Sequence, residues 1–431
     1  MTDSTSRRFG TRHYVLILLM GVHALQYLDR QTVVILIEPI KAEFALSDSQ
    51  IGLLTGLAFS IPYSILLLPV GFLVDRYSRR NILVTALAIW SALTAATGLV
   101  RNYVELMLTR GVIAAAESAS NPGALSLLSD FFDRKSRVLA IGIYYSGPSL
   151  SIVAGFILLG LIAENFGWRI AFFVAGMPGL LLALVILLTT KEPQREGSSA
   201  NEEAASAPTV RETMRFVSSQ RSLVHFMIAI TLTATATSGQ IAFQASFLMR
   251  VHGLSLATSA LVIGIAFGLS NACGQIAGGW LVSRMARADV ARVSWCTAAF
   301  AAVCGMLMAT YVFADRAWLA IGLLALWALP AGCQYGPVMG TVQSLVMPRM
   351  RGMTNSFVSL LMYLIGAGLG PLIVGVLSDR LSPGAGAQSL RYAMAVTAGV
   401  QLLAAVHFFL ASRSLRADVD RVQSRIAVEA A

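Results

Sequence analysis

Four charged residues lie where so apolar a chain should carry none. Asp29 and Arg30 are adjacent inside an apolar run from about Tyr14 to Ile37, and Arg110 and Glu117 are seven residues apart inside another at about 104–129. Each such charge costs roughly 2.5–3.5 kcal/mol at the centre of a lone inserted helix. A chain keeps them there only if they face a polar cavity, each other or a substrate. Asp29 and Arg30 are about 100° apart on a helix and need not pair with each other. Arg110 and Glu117 are nearly two turns apart, on one face, about 10 Å apart along the axis, and do not pair directly without bending. A guanidinium presents a fork of donors matched to carboxylate or phosphate. A buried carboxyl beside a movable arginine changes its protonation as the arginine leaves. The four residues therefore read as the lining of a transport pathway, with Arg30 exchanging Glu117 for an anionic headgroup and Asp29 and Glu117 as proton sites. The plainer reading is that the charges only pin two helices together.

The elements that must hold these residues follow from composition. The chain has 431 residues, 56% hydrophobic and 13% charged, with mean hydropathy +0.71; soluble domains are nearer 45–50% apolar and 25% charged. Only helices and closed barrels satisfy the backbone in lipid, and continuous apolar runs of about twenty residues select helices. About twelve spans are expected, at roughly 14–37, 50–74, 81–100, 104–129, 138–162 and 169–190, then 222–249, 256–282, 291–313, 317–346, 352–378 and 389–411. The fold class is an all-α polytopic membrane protein. Its expected divisions are a six-helix bundle at 1–190, a cytoplasmic linker at 191–221, a second bundle at 222–412 and a cytoplasmic tail at 413–431. The linker is Ser/Ala/Glu/Gly-rich at first, and Thr209 to Gln220 reads as a short surface helix. The first run continues through Asp29 and Arg30 without a small-residue cleavage site, so it reads as a retained helix rather than a removed signal peptide.

The net charge of +10 does not point to nucleic acid, because the basic residues fall in short clusters between spans. Of 32 lysines and arginines, 23 fall on the side of the N-terminus and 7 on the other. That bias puts both termini and the central loop in the cytoplasm. Cys273, Cys296, Cys304 and Cys333 lack CxxC spacing and the five histidines do not cluster in sequence, so no metal site is indicated. No Walker A motif appears, so no cofactor is expected and transport is not driven by this chain's own ATP hydrolysis. No nucleophile–base pair stands out that would indicate an enzyme.

The halves echo each other. Gly71, Leu73, Val74, Arg76 and Arg79 after the second span match Gly279, Leu281, Val282, Arg284 and Arg287 after the eighth at one constant offset. Gly147-Pro148 in the fifth span parallels Gly370-Pro371 in the eleventh. A duplication of six spans is the economical account, and in such folds the site lies near the midplane between the repeats. The glycines of the fifth and eleventh spans, Gly142, Gly147 and Gly155 with Gly366, Gly368, Gly370 and Gly375, are assigned to a moving contact between the halves.

With these features in place, the sequence resembles the major facilitator superfamily. Gly71-x-Leu73-x-Asp75-Arg76-x-Ser78-Arg79-Arg80 resembles its signature loop between the second and third helices, departing at Ser78, where the usual residue is glycine. Residues 26–192 resemble the spinster-like transporters through YLDRQ, LSDSQIGLL (Leu46 to Leu54), Arg110-Gly111, Glu117-Ser118-Ala119, SDFF (Ser129 to Phe132) and Arg137. The resemblance implies a major facilitator fold of two pseudo-symmetric six-helix bundles. It implies Asp29, Arg30, Arg110 and Glu117 as proton-coupling and substrate residues. It also implies a cytoplasmic gate of Asp75, Arg76, Arg79, Arg80 and Arg137, with Asp75 near Gly352 to Asn355. Sugar-acid and organic-anion symporters of the superfamily carry a similar Asp-Arg and a fourth-helix carboxylate, so the motifs leave the substrate open.

The second half has no ionisable residue deep in a span. Gln244, Asn271 and Tyr335, with Tyr27 from the first span, are candidate substrate contacts. The reading is a proton-coupled, alternating-access carrier of an amphiphilic lipid or lysolipid with a charged head, monomeric and in a bacterial inner membrane. The alternatives are a sugar-acid or small organic-anion symporter and a non-transporting ligand sensor.

Overall fold

A computed structural model describes residues 3–192, 209–286 and 290–430; side chains at Met1–Thr11 and at some isolated positions, Asp75 and Tyr335 among them, lie outside the description. The described residues form twelve helical rods. In the first half these are α1 (Asp3–Ile35), α2 (Asp48–Thr55 with Leu57–Arg76), α3 (Arg79–Thr97), α4 (Tyr103–Glu117 with Ser120–Phe131), α5 (Arg134–Tyr144 to Phe156–Phe166) and α6 (Trp168–Thr189). In the second they are α7 (Arg221–His252), α8 (Leu256–Val262 to Ser270–Ala286), α9 (Val290–Val312), α10 (Ala317–Ser344), α11 (Arg351–Leu360 to Gly368–Ala385) and α12 (Ser389–Ala430). Nine stretches of the described residues are long and apolar enough to cross a membrane, and the last, Pro348–Val428, spans both α11 and α12. The two rods outside these stretches are α1, diluted by Asp29 and Arg30, and α4, broken directly after Glu117. The four candidate charges thus lie on the two rods that read least like membrane spans.

The chain divides into two compact units. The first holds Met1–Glu196 together with Gly253–Gly264, the opening of α8, and the second holds the remainder. In the first, Leu16, Leu19, Leu83, Leu87, Trp90, Leu127 and Tyr144 form a buried core. In the second, Phe226, Val342, Leu345, Phe408, Leu415 and Val422 do so, and the core extends onto the short helix Val210–Ser218 through Phe216 and Val217. That helix opens on a reciprocal cap: Thr209 Oγ1 accepts from Glu212 N at 3.2 Å, and Glu212 Oε2 accepts from Thr209 N at 2.9 Å. Between α1 and α2 the short helix Ile37–Phe44 is latched to α6, where Glu43 Oε2 accepts from Trp168 Nε1 at 2.7 Å and Arg169 Nη1 at 2.6 Å. Burial, the largest single influence, pushes the Glu43 carboxyl up, but the Trp168 and Arg169 donors with the Arg169 charge together outweigh it and hold the group below its usual range.

The small residues of α5 and α11 do not stand where the sequence reading placed them. A Cβ on Gly147 would meet Met20 O at 2.6 Å and Ala24 N at 3.1 Å, both backbone atoms of α1. Gly370 meets Thr235 O, Ser238 Oγ and Gly239 N of α7. These glycines serve close approach within each unit, α5 on α1 and α11 on α7, repeating one packing device in both halves. The same two helices each carry a π-helical segment, Ser151–Gly155 and Leu361–Ala367. Gly147→Val is expected to destabilise the protein by about 1–3 kcal/mol, since the clash is with backbone that cannot turn away. Gly142→Ala, with nothing within 4 Å of its Cβ, should leave the thermal midpoint unchanged in the same unfolding assay.

Candidate functional site

Asp29, Arg30, Arg110 and Glu117 meet inside the first unit, and they pair crosswise between α1 and α4. Arg30 Nε donates to Glu117 Oε2 at 2.7 Å. Arg110 Nη1 lies 3.4 Å from Asp29 Oδ2, and its Nη2 donates to Arg30 O at 3.2 Å. Asp29 and Arg110 are each 5% exposed and Glu117 is fully buried, whereas the Arg30 side chain keeps 17% exposure. Arg30 is therefore the member of the set best placed to meet a ligand. The turn at Ser118-Ala119 ends the first part of α4 just past Glu117 and leaves the Glu117 carbonyl within reach of Gln26 Nε2, at 3.1 Å.

Several neighbours of the set were not singled out from sequence. Thr94 of α3 donates to Asp29 Oδ1 and lies 2.8 Å from Trp90 O. One hydroxyl proton cannot serve both acceptors at once, so Thr94 divides it between Asp29 and Trp90 O. From α2, Phe59 and Tyr63 stack on each other and cover the arginines. The Arg30 Cζ is 4.7 Å from the Phe59 centroid and 4.8 Å from that of Tyr63, and the Arg110 Cζ is 4.7 Å from Phe59. Cation–π contact holds both guanidiniums without neutralising them. Glu117 Oε1 is buried and takes no hydrogen bond from a described N–H or hydroxyl.

The remaining candidates scatter. Tyr27 is half-buried, and its neighbour Gln26 is the residue that reaches Glu117. In the second unit Asn271 lines a cavity of about 200 Å³ walled by Phe267, Trp327, Met339 and Met362, with Gln334 and Gln401 as polar members. Its Nδ2 donates to Ala328 O at 3.3 Å. Gln244 is 1% exposed, and neither its Oε1 nor its Nε2 has a hydrogen-bond partner among the described residues. The Tyr335 side chain lies outside the described residues. The histidines, separate in sequence, do meet in space at one place: His225 Nδ1 and His407 Nδ1 are 3.0 Å apart across α7 and α12. No group of three or more metal-ligating side chains occurs among the described residues.

The Major Facilitator Superfamily model matches residues 19–371 of this chain. The chain belongs to the major facilitator superfamily. An MFS-type efflux pump of Mycolicibacterium smegmatis is 29% identical over 430 residues, covering 97% of each chain. A probable L-galactonate transporter of Escherichia coli is 24% identical over 383 residues, covering 84% of this chain and 82% of its own. Among solved structures, a bacterial homolog of the human lysosomal transporter spinster, in an inward-facing unoccupied conformation, superposes with a TM-score of 0.85 at 28% identity, over 95% of this chain and 98% of that one. This facilitator is a spinster-like membrane transporter.

The facilitator's signature loop is held by a residue outside the motif. Glu192, just beyond α6, accepts from Ser78 Oγ at 2.7 Å, Arg79 N at 3.0 Å and Arg80 N at 2.9 Å. A carboxylate on the first turn of α3 satisfies donors the helix itself cannot. Ser78 is the α3 N-cap, accepting from Asn81 N at 3.2 Å, and its φ of −62° needs no glycine. The family departure at this position is thus accommodated as a cap. Arg79 is ion-paired with Asp130, Arg76 is exposed, and Arg137 donates to Ser129 O at 2.7 Å and Phe132 O at 3.3 Å. The Asp75 side chain lies outside the described residues.

Proposed function

We propose that this facilitator is a proton-coupled secondary transporter, working by alternating access, for an amphiphile with an anionic or zwitterionic head. The observation that carries the reading is the crossed pairing of Arg30 with Glu117 and Arg110 with Asp29, buried inside the first unit with one Glu117 oxygen lacking a partner among the described residues. An anionic head that takes the Arg30 fork away from Glu117 leaves two facing carboxyls with one counter-charge, and a proton then binds. Substrate and proton are linked by that exchange. Within the second unit, considered by itself, a chamber walled by aromatic and Met side chains with no charged lining residue supports an amphiphilic rather than a wholly polar substrate. The basic bias supports an orientation with both termini cytoplasmic, in keeping with an inner-membrane carrier.

The test is uptake into proteoliposomes with an imposed pH gradient. Coupling free energies of 1–3 kcal/mol correspond to about 5–150-fold effects. Asp29→Asn and Glu117→Gln should each abolish stimulation of this size by the gradient while substrate exchange without a gradient persists. Unchanged gradient-driven uptake in both variants would sink the proposal.

A sugar-acid or small organic-anion symporter is the second reading. It is favoured by the L-galactonate relative and by the carboxamides of Gln334 and Gln401, which give the chamber hydrogen-bonding capacity. A thermal-shift comparison of lysolipids, sphingoid phosphates and sugar acids on the purified protein separates the two, since only one class should stabilise it at micromolar concentration.

A further inference from the structure

The outer face of α9 and α12 carries a cluster that the transport site does not use. Trp295 of α9 is 58% exposed, and its ring meets Phe409 of α12 edge-on, with centroids 5.2 Å apart. The Arg413 Cζ lies 5.6 Å from the Phe409 centroid, one turn further along α12. Arg292, exposed, precedes Trp295 by three residues on α9. The two helices are tied at this level by Ser294 Oγ, which donates to Phe408 O at 2.7 Å, so the four residues share one fixed patch.

The directions agree. Because α9 and α12 run antiparallel, Arg292 and Arg413 both lie beyond the aromatic pair, toward the chain's basic side. Tryptophan exposed on a membrane helix belongs at the level of the headgroups, and arginines one turn outward from it sit among phosphates. Neither arginine has an ion pair or hydrogen bond among the described residues. Two exposed guanidiniums without a partner among the described residues, Arg413 over the Phe409 ring and Arg292 one turn from Trp295, suit an anion supplied by the membrane.

We propose that Arg292, Trp295, Phe409 and Arg413 form a binding site for the headgroup of an anionic diacyl phospholipid in the cytoplasmic leaflet. The two guanidiniums hold the phosphodiester, and the Trp295 and Phe409 rings pack against the glycerol and upper acyl carbons. Basic pockets between membrane helices on this side are suited to such headgroups. The site is separate from Arg30 and does not depend on which substrate is carried.

The experiment measures lipid retention by native mass spectrometry, and thermal midpoint, for the full chain in detergent with phosphatidylglycerol, phosphatidylcholine or soluble glycerol phosphate. Wild-type protein should retain phosphatidylglycerol and be stabilised by it, with no effect from the other two. Arg292→Gln/Arg413→Gln should weaken phosphatidylglycerol binding on the order of thirtyfold, taking about 1 kcal/mol per arginine. Arg413→Gln alone should lose part of this, which guards against misfolding of the double variant. Arg30→Gln should retain the preference. Equal retention of phosphatidylglycerol and phosphatidylcholine, wild-type affinity in the double variant, loss of the preference in Arg30→Gln, or glycerol phosphate binding as tightly as the lipid would each overturn the site.

Discussion

Arg30→Gln is expected to lose thirtyfold or more in affinity for an anionic substrate, taking roughly 2–5 kcal/mol for a desolvated charge pair stripped of one partner. Arg30 alone of the four charges combines burial with access: its side chain is 17% exposed while Asp29, Arg110 and Glu117 are at 6% or less. Its guanidinium is held over the Phe59 and Tyr63 rings, so little rotamer freedom remains to be lost on binding. Arg30→Lys tests the fork. A lysine keeps the charge but offers no planar pair of donors, and with aromatic rings on one side it should recover only part of the affinity. Titration by intrinsic fluorescence or calorimetry, at one ionic strength, reads both variants. A neutral analogue of the substrate should be nearly indifferent to the substitution. Wild-type affinity in Arg30→Gln would remove Arg30 from the binding site and with it the proposed exchange.

The four charges were legible in the sequence because a charge in a membrane span is costly, and cost shows in one dimension. Their pairing was legible only in part. The 100° between Asp29 and Arg30 and the two turns between Arg110 and Glu117 argue against pairing along either helix, but which acid meets which base depends on how α1 and α4 face each other. Thr94, Gln26, Phe59 and Tyr63 carry no such signal. A threonine, an amide or an aromatic in a span costs little, and each acts here only through a partner on another helix. The i, i+4 spacing of Phe59 and Tyr63 was the one available hint. Glu192 stands at a linker edge that reads as ordinary polar chain, yet it anchors the signature loop more than 110 residues earlier. The glycines of α5 and α11 show the converse. Small residues report close approach without saying to what, and the neighbours proved to be α1 and α7. His225 and His407, 182 residues apart, could meet only through the fold.

Arg110→Gln is expected to be the most destabilising of the single changes at this site. Arg110 is 5% exposed, and its removal leaves Asp29 as a buried carboxylate whose other hydrogen-bond partner is a neutral hydroxyl. Breaking a buried pair from one side costs about 3–5 kcal/mol, whereas replacing both partners is often close to neutral. Asp29→Asn/Arg110→Gln should therefore recover much of the thermal midpoint lost by Arg110→Gln. The same logic applied to all four residues gives a pattern that no arrangement but the crossed one predicts. Double-mutant cycles should return strong coupling for Asp29 with Arg110 and for Arg30 with Glu117, and weak coupling for Asp29 with Arg30 and for Arg110 with Glu117. Thermal unfolding in one detergent, read by a probe in the first unit, supplies the energies. Strong coupling between the neighbours in sequence, with none across the helices, would mean that the charges pair along α1 and α4. Arg30 would then hold Asp29 rather than Glu117, and an exchange of Glu117 for substrate at Arg30 would no longer link proton to ligand.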